Sequence, residues 1–283
     1  MDLNLSIPTP LGYFASLVQS DEHFPLLEAA ASLAQDEYPE LDVQQVLGDM
    51  DRIAARLRRR IGPDSSALER VRALNQFFFG DLGFGGNLND YYNPDNSHLN
   101  VVLHARRGIP ISLAVLWLEL AQGLSLDADG VGFPGHFLVQ VSLPGGMVVI
   151  DPFSGQSLSR SDLRERIAEV HPHMPFREGA ELPLALYLQP SRPRMIIARM
   201  LRNLQDIHRS QQDWPRLLAV QERLVALLPQ AWEEVRDRGL ALAELGERQR
   251  ARSDLSLYLR ESPHAGDRKA MAERLAELGG QLP

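Results

Sequence analysis

The sequence predicts an α+β chain that is mostly helical, with one small antiparallel sheet in its middle and an all-helical array after it. Three observations lead there. Apolar residues recur at helical spacing up to Gly80. Two β-rich runs, His136–Ser142 and Met147–Ile150, flank the turn residues Pro144-Gly145-Gly146. From Arg194 onward helix follows helix without a strand signal, and Pro229 and Pro263 close two similar runs 34 residues apart.

Taken in order, Pro25–Glu37 places Leu26, Leu27, Ala30 and Leu33 along one face. Asp42–Ile61 repeats the pattern with Val46, Met50, Ile53 and Leu57, and its arginines sit at the end that suits the helix dipole. Asp64 is expected to cap a third helix through Leu68, Val71, Leu74 and Phe78. Gly80–Asn96 is rich in Gly, Asn and Asp and carries Phe84, Tyr91 and Tyr92; it reads either as a binding or lid element or as a surface loop pinned by its aromatics. Gly108–Leu124 follows as a helix with Pro110 in its first turn and Leu113, Leu116, Trp117 and Leu120 buried. After the two strands, Ser161 is expected to cap a short helix, and Pro172–Pro193 reads as an extended connector. Two domains are therefore expected, residues 1–185 and 194–283. In the second, Gly239, Leu242, Gly246, Ala251, Leu255, Tyr258 and Pro263 fall on the small and large positions of a tetratricopeptide unit, and 265–278 would be its solvating cap.

The chain has 283 residues, 44% of them hydrophobic, enough to bury a sizeable core. Its net charge of −8 argues against a nucleic-acid or anionic-membrane partner, both of which call for a basic face. No apolar run reaches the ~20 residues of a membrane span, and no secretory leader is visible in MDLNLSIPTPLGYF, so a cytoplasmic location is expected. The absence of cysteine excludes thiol chemistry, disulfides and thiolate metal sites.

Chemistry concentrates between Arg106 and Phe153. With a two-residue turn at Pro144–Gly145, Leu138 lies opposite Asp151, and His136 becomes the diagonal neighbour of Asp151 on the same face. Shifting the turn by one position makes the two direct partners, whereas a three-residue turn sends them to opposite faces. A carboxylate on an imidazole fixes its tautomer, as a general base requires; the same pair can equally close a sheet edge. Ser112, in the first turn of the helix that precedes the two strands, is either a nucleophile beside an oxyanion-stabilising helix start or a cap for a free N–H. Asn96, Ser97 and His98 match no metal-ligand template, and His98 is expected at the surface or in a capping role. Arg106 and Arg107 would hold an acidic ligand beside the cleft or be solvated helix-end charges. His171 and His173 are a poor metal signal, so neither metal nor cofactor is expected.

The segments GIPISL (Gly108–Leu113), PGHF (Pro134–Phe137) and IDPF (Ile150–Phe153) together resemble the transglutaminase-like superfamily, and more narrowly a bacterial, Sir-B-type branch with C-terminal tetratricopeptide repeats. NLNDYYNPDNSHLN (Asn87–Asn100) and RDRGLALAELG (Arg236–Gly246) fit that branch too, extending the resemblance from roughly residue 65 onward. The resemblance implies a papain-like core in which a helix-N-terminal cysteine attacks an amide carbonyl, a histidine serves as its base and an aspartate orients the histidine. His136 and Asp151 match the last two. The cysteine position falls on Pro110 without gaps, or on Ser112 after a two-residue shift. Two functions follow as expectations. One is a catalytically disabled module whose cleft, with Tyr91, Asn96, Arg106 and Arg107, binds a ligand while the repeats hold a protein or peptide. The other is a serine-based amide or ester hydrolase using Ser112, His136 and Asp151.

Overall fold

A computed structural model describes residues 8–170 and 183–279. The His171–Pro172–His173 motif and the first part of the expected connector lie outside the described residues. The chain divides into two compact units. One contains residues 26–34 and 40–196; the other comprises the described residues within Met1–Pro25, Gln35–Pro39 and Ile197–Pro283.

The first unit is built around one buried helix. Helices α1 (Pro10–Leu17), α2 (Leu26–Ser32), α3 (Val43–Arg58), α4 (Ala67–Asn75), α5 (Leu99–Ala105) and α6 (Pro110–Gln122) occur in that order, and all but α1 belong to this unit. α3 buries Val46, Met50, Ile53 and Leu57, the stripe its spacing predicts, and Asp42 caps it by accepting the Gln44 N–H. α4 is capped by Ser66 rather than by Asp64: the Ser66 hydroxyl accepts the Glu69 N–H while Glu69 accepts the Ser66 N–H, a reciprocal pair that Asp64, two residues earlier, is not placed to make. Beyond Asn75 the helix widens over Gln76–Asp81, so that Leu82 N bonds Phe77 O. α6 is buried on nearly every side, including Ile111, Ala114 and Val115 as well as the predicted Leu113, Leu116, Trp117 and Leu120, and Trp117 Nε1 donates to Asn75 Oδ1 at 2.9 Å.

Within the Gly80–Asn96 segment, β1 (Gly85–Gly86) pairs in parallel with β2 (Arg107–Gly108). The main sheet is a four-stranded antiparallel meander of β3 (Ala128–Val131), β4 (Leu138–Leu143), β5 (Gly146–Ile150) and β6 (Ser157–Leu158). Leu143 pairs with Gly146 and Val139 with Ile150, so the turn is the two-residue Pro144–Gly145. His136 does not open β4 as expected. It lies two residues earlier, in a turn where His136 N bonds Phe133 O and Gly135 adopts φ +65°. Helix α7 (Arg160–Val170) begins with a reciprocal pair between Ser159 and Asp162, so Ser159 rather than Ser161 caps it. Its Leu163 and Ile167 pack with Val131, Phe133, Leu138, Val149 and Leu188 as the core of this face. After the short α8 (Leu184–Tyr187), the chain returns to the β3 edge, where Ser191 N bonds Gly130 O at 2.8 Å.

The second unit holds α9 (Pro193–Ser210) from Ile197 on, α10 (Trp214–Leu227), α11 (Trp232–Glu244), α12 (Arg248–Glu261) and α13 (Arg268–Glu277). α10, α11, α12 and α13 pack in sequence order, as stacked helical hairpins do, and α9 reaches α11 through Arg202–Glu234 and Arg209–Asp237. α11 and α12 approach closely because Gly239 lacks a side chain: a Cβ there would lie 3.1 Å from Asp254 Cβ and 3.2 Å from Leu255 Cγ. α1 packs on α10, where Phe14 is fully buried beneath the Arg223 guanidinium, 5.1 Å from the ring centroid. Arg223, itself 1% exposed, also makes a two-pronged bond to Asp36 at 2.6 and 2.8 Å.

Candidate functional site

Two turns bring the polar pair together. One delivers His136 from the end of β3. The other follows β5, where Asp151 N bonds Gln156 O and Gly155 N bonds Asp151 O, each at 2.8 Å, before the chain enters β6. Because β4 and β5 are in the two-residue-turn register, these turns meet at the same end of the ribbon. His136 Nε2 lies 2.8 Å from Asp151 Oδ1.

Asp151 is 2% exposed and fully engaged. Oδ1 also accepts the Phe153 N–H at 2.9 Å, and Oδ2 accepts Arg166 Nη2 at 2.9 Å. Burial opposes its charge, but the His136 contact, the Phe153 N–H and the Arg166 guanidinium outweigh burial and hold the carboxyl well below the usual range. The carboxylate is therefore permanently charged at neutral pH and shared between two cationic or donor side chains. Sequence reasoning did not find Arg166. It sits on α7, and nothing in the run SDLRERIAEV distinguishes it from Arg164 beside it.

Ser112 is fully buried at the start of α6. Its hydroxyl donates to Asn96 O at 2.6 Å, with Ile109 O a second acceptor at 3.0 Å, and accepts the Ile109 N–H at 3.2 Å. Gly108 makes room for it, since a Cβ at that position would lie 2.6 Å from Ser112 Oγ. Pro110, the other residue at the expected cysteine position, is also buried and carries no reactive atom.

The four cleft residues separate. Asn96 is a knot in the loop: its amide donates to Asp90 O and Tyr91 O at 2.6 and 3.1 Å and accepts from Asn87 Nδ2 at 2.9 Å. Tyr91 stays on the pair's side, with its ring 5.9 Å from that of Phe153, which lies 6.3 Å from the His136 ring. Phe153 is seated against Gly86, where a Cβ would fall 2.2 Å from the ring. Arg106 stacks on Phe84, and Arg107 donates to the Gly83 and Arg106 carbonyls; neither makes a described contact with His136 or Asp151. His98 is 1% exposed, not a surface residue, and faces Asp95 at 3.6 Å.

Beside His136 opens a cleft of about 520 Å³ lined by Gln156, Asp162, Glu165, Arg166 and Glu169. Among the described residues no group of three acidic, histidine or cysteine side chains is placed to hold a metal, and no helix is long and apolar enough to cross a membrane.

The model of the transglutaminase-like superfamily matches residues 44–202, and that of the tetratricopeptide repeat matches 204–276. A UPF0162 protein of Xylella fastidiosa (strain 9a5c) is 39% identical over 266 residues, covering 92% of each chain. A UPF0162 protein of Pseudomonas aeruginosa is 29% identical over 254 residues, covering 89% of this chain and 90% of that one. Protein SirB1 of Salmonella typhimurium is 28% identical over 239 residues, covering 83% and 84%. With more than half of its length under the first model and its helical array under the second, the chain belongs to the transglutaminase-like superfamily, as a member without cysteine that carries tetratricopeptide repeats after its core.

Proposed function

We propose that this chain is a catalytically disabled transglutaminase-like module, in which the cleft beside His136 recognises a ligand and the repeats hold a protein or peptide segment, in the cytoplasm. The observation that carries the reading is the setting of Ser112. A serine nucleophile needs its hydroxyl ~2.6–3.2 Å from a base that takes the proton. The Ser112 proton is instead committed to main-chain carbonyls, and attack would require breaking the bonds that hold the start of α6. Asp151 supports the same reading, because Arg166 already neutralises the carboxylate that would have to stabilise an imidazolium. Tetratricopeptide arrays commonly bind extended segments of other proteins in their concave face, which is the source of the partner class proposed here.

A fluorophosphonate probe tests the disabled core. Wild type and Ser112→Ala are expected to remain equally unlabelled. Labelling of wild type that disappears in Ser112→Ala would establish the serine hydrolase instead. For the cleft, capture of a ligand by full-length protein is expected to weaken in His136→Ala without loss of fold.

A further inference from the structure

Helix α7 is a wall between two openings of opposite character. Its Asp162, Glu165, Arg166 and Glu169 line the cleft beside His136. Its Arg160, Leu163 and Arg164 line a second cavity of about 400 Å³, and Leu158 alone borders both. The floor of the second cavity is apolar and continuous with the core of this face. Val149, Leu163 and Leu188 are buried there in one cluster, with Leu158 and Leu184 packed against it. Met147, 48% exposed, carries that apolar lining out to the surface. Arg160 and Arg164 are four residues apart, so both side chains stand on one face of α7, over the same cavity. Both are exposed. Among the described residues the ion pair made by α7 is that of Arg166 with Asp151, and Arg160 and Arg164 make none. No acidic residue stands three or four positions from either of them, whereas Arg166 has Asp162 and Glu169 at those spacings.

Like charges at this spacing disfavour a helix, and a cation in the first turn opposes the helix dipole. An anion held between the two arginines would offset both costs. Uncompensated cations at the edge of an apolar cavity, in a chain of net charge −8, are complementary to an amphipathic anion. Its charged end meets the guanidiniums, and its chain covers the apolar floor. The cavity, about 400 Å³, lies at the small end of ligand sites, which run ~300–1,000 Å³, and so suits one short aliphatic chain. We propose that it binds an aliphatic carboxylate, with the head on Arg160 and Arg164 and the chain over Val149, Leu158 and Leu188, at a site separate from the His136 cleft.

The test titrates octanoate, hexanoate, acetate, octanol and octylamine into the full chain at constant ionic strength, following backbone amide shifts and thermal unfolding. Octanoate is expected to saturate, and to bind more tightly than hexanoate by about two- to fourfold per methylene, the gain from burying each CH₂. Arg160→Gln and Arg164→Gln should each weaken octanoate at least about fivefold, as loss of one charge-assisted contact implies. Arg252→Gln, on α12, should leave it unchanged. Met147→Gln should lower the gain per methylene. All four substituted residues are exposed, so the variants read the site without risk to the fold. The site is overturned by the lack of a saturable octanoate response, or by octanoate binding that survives when Arg160 and Arg164 are both replaced. Acetate, octanol or octylamine matching octanoate overturns it too. So does tighter binding of the peptide acetyl-Asp-Leu-Leu-amide, which would assign the cavity to a protein segment.

Discussion

Ser112, Asp151 and Arg166 show how single side chains decide what the core does. The Ser112 hydroxyl joins the loop at Asn96 to the first turn of α6. Ser112→Ala is expected to cost about 1–3 kcal/mol, the penalty for stranding buried main-chain groups, measured by urea unfolding. The depressed Asp151 carboxyl contributes stability that is complete above the unfolded-state value near pH ~4 and is lost as pH falls below it. Asp151→Asn should therefore lower stability at neutral pH and flatten the acid limb of the stability profile. Arg166→Met should flatten it partly, because one of the partners that depress the carboxyl is gone while His136 and the Phe153 N–H remain. An acid limb identical to wild type in both variants would show that the pair is not coupled to folding.

Elements here are set by close approaches as much as by propensity. In α11, Gly239→Ala gains helix propensity of about 1 kcal/mol. It also forces a methyl group to 3.1 Å from Asp254 Cβ, and overpacking of this kind costs about 1–3 kcal/mol. Overpacking wins, so the full chain should melt lower, with the loss read by circular dichroism. The same reasoning explains which elements were legible. The stripe of α3 follows from local pattern and appears where the residues place it, and Pro144-Gly145-Gly146 marks the hairpin turn, whose two-residue length the strand pairing selects. β3 did not show itself, because Ala128-Asp129-Gly130 is poor strand sequence; its pairing with β4 overrides propensity. β6 has only two residues, too few for any periodicity to register. Ser66-x-x-Glu69 was the visible capping signature, and the nearby Asp64 obscured it.

At the scale of the molecule, the repeat-containing unit also includes α1 and residues 35–39. Arg223 is the tie, with Phe14 beneath its guanidinium and Asp36 across from it. Arg223→Met keeps the bulk but strands Asp36, whose side chain is 27% exposed. The expected loss is about 2–4 kcal/mol, below that for a wholly buried partner because water still reaches the carboxylate. It is read as a shift of the chemical-unfolding midpoint of the full chain. An unchanged midpoint would show that α1 adds nothing to the stability of the repeats.

Sequence alone determined the succession of helices, hairpin and helical array, the repeat spacing and the exclusion of thiol chemistry, because each depends on local periodicity or composition; that His136 meets Asp151 was left to the length of one turn, which the structure fixes at two residues. Tertiary structure decided the rest. Arg166 reaches Asp151 from a helix with no distinguishing pattern, Ser112 turns its hydroxyl toward a carbonyl sixteen residues earlier, and Arg106 leaves the cleft for Phe84. Such contacts join residues that are distant along the chain or set by one backbone dihedral, and no local pattern encodes which partner a side chain will meet.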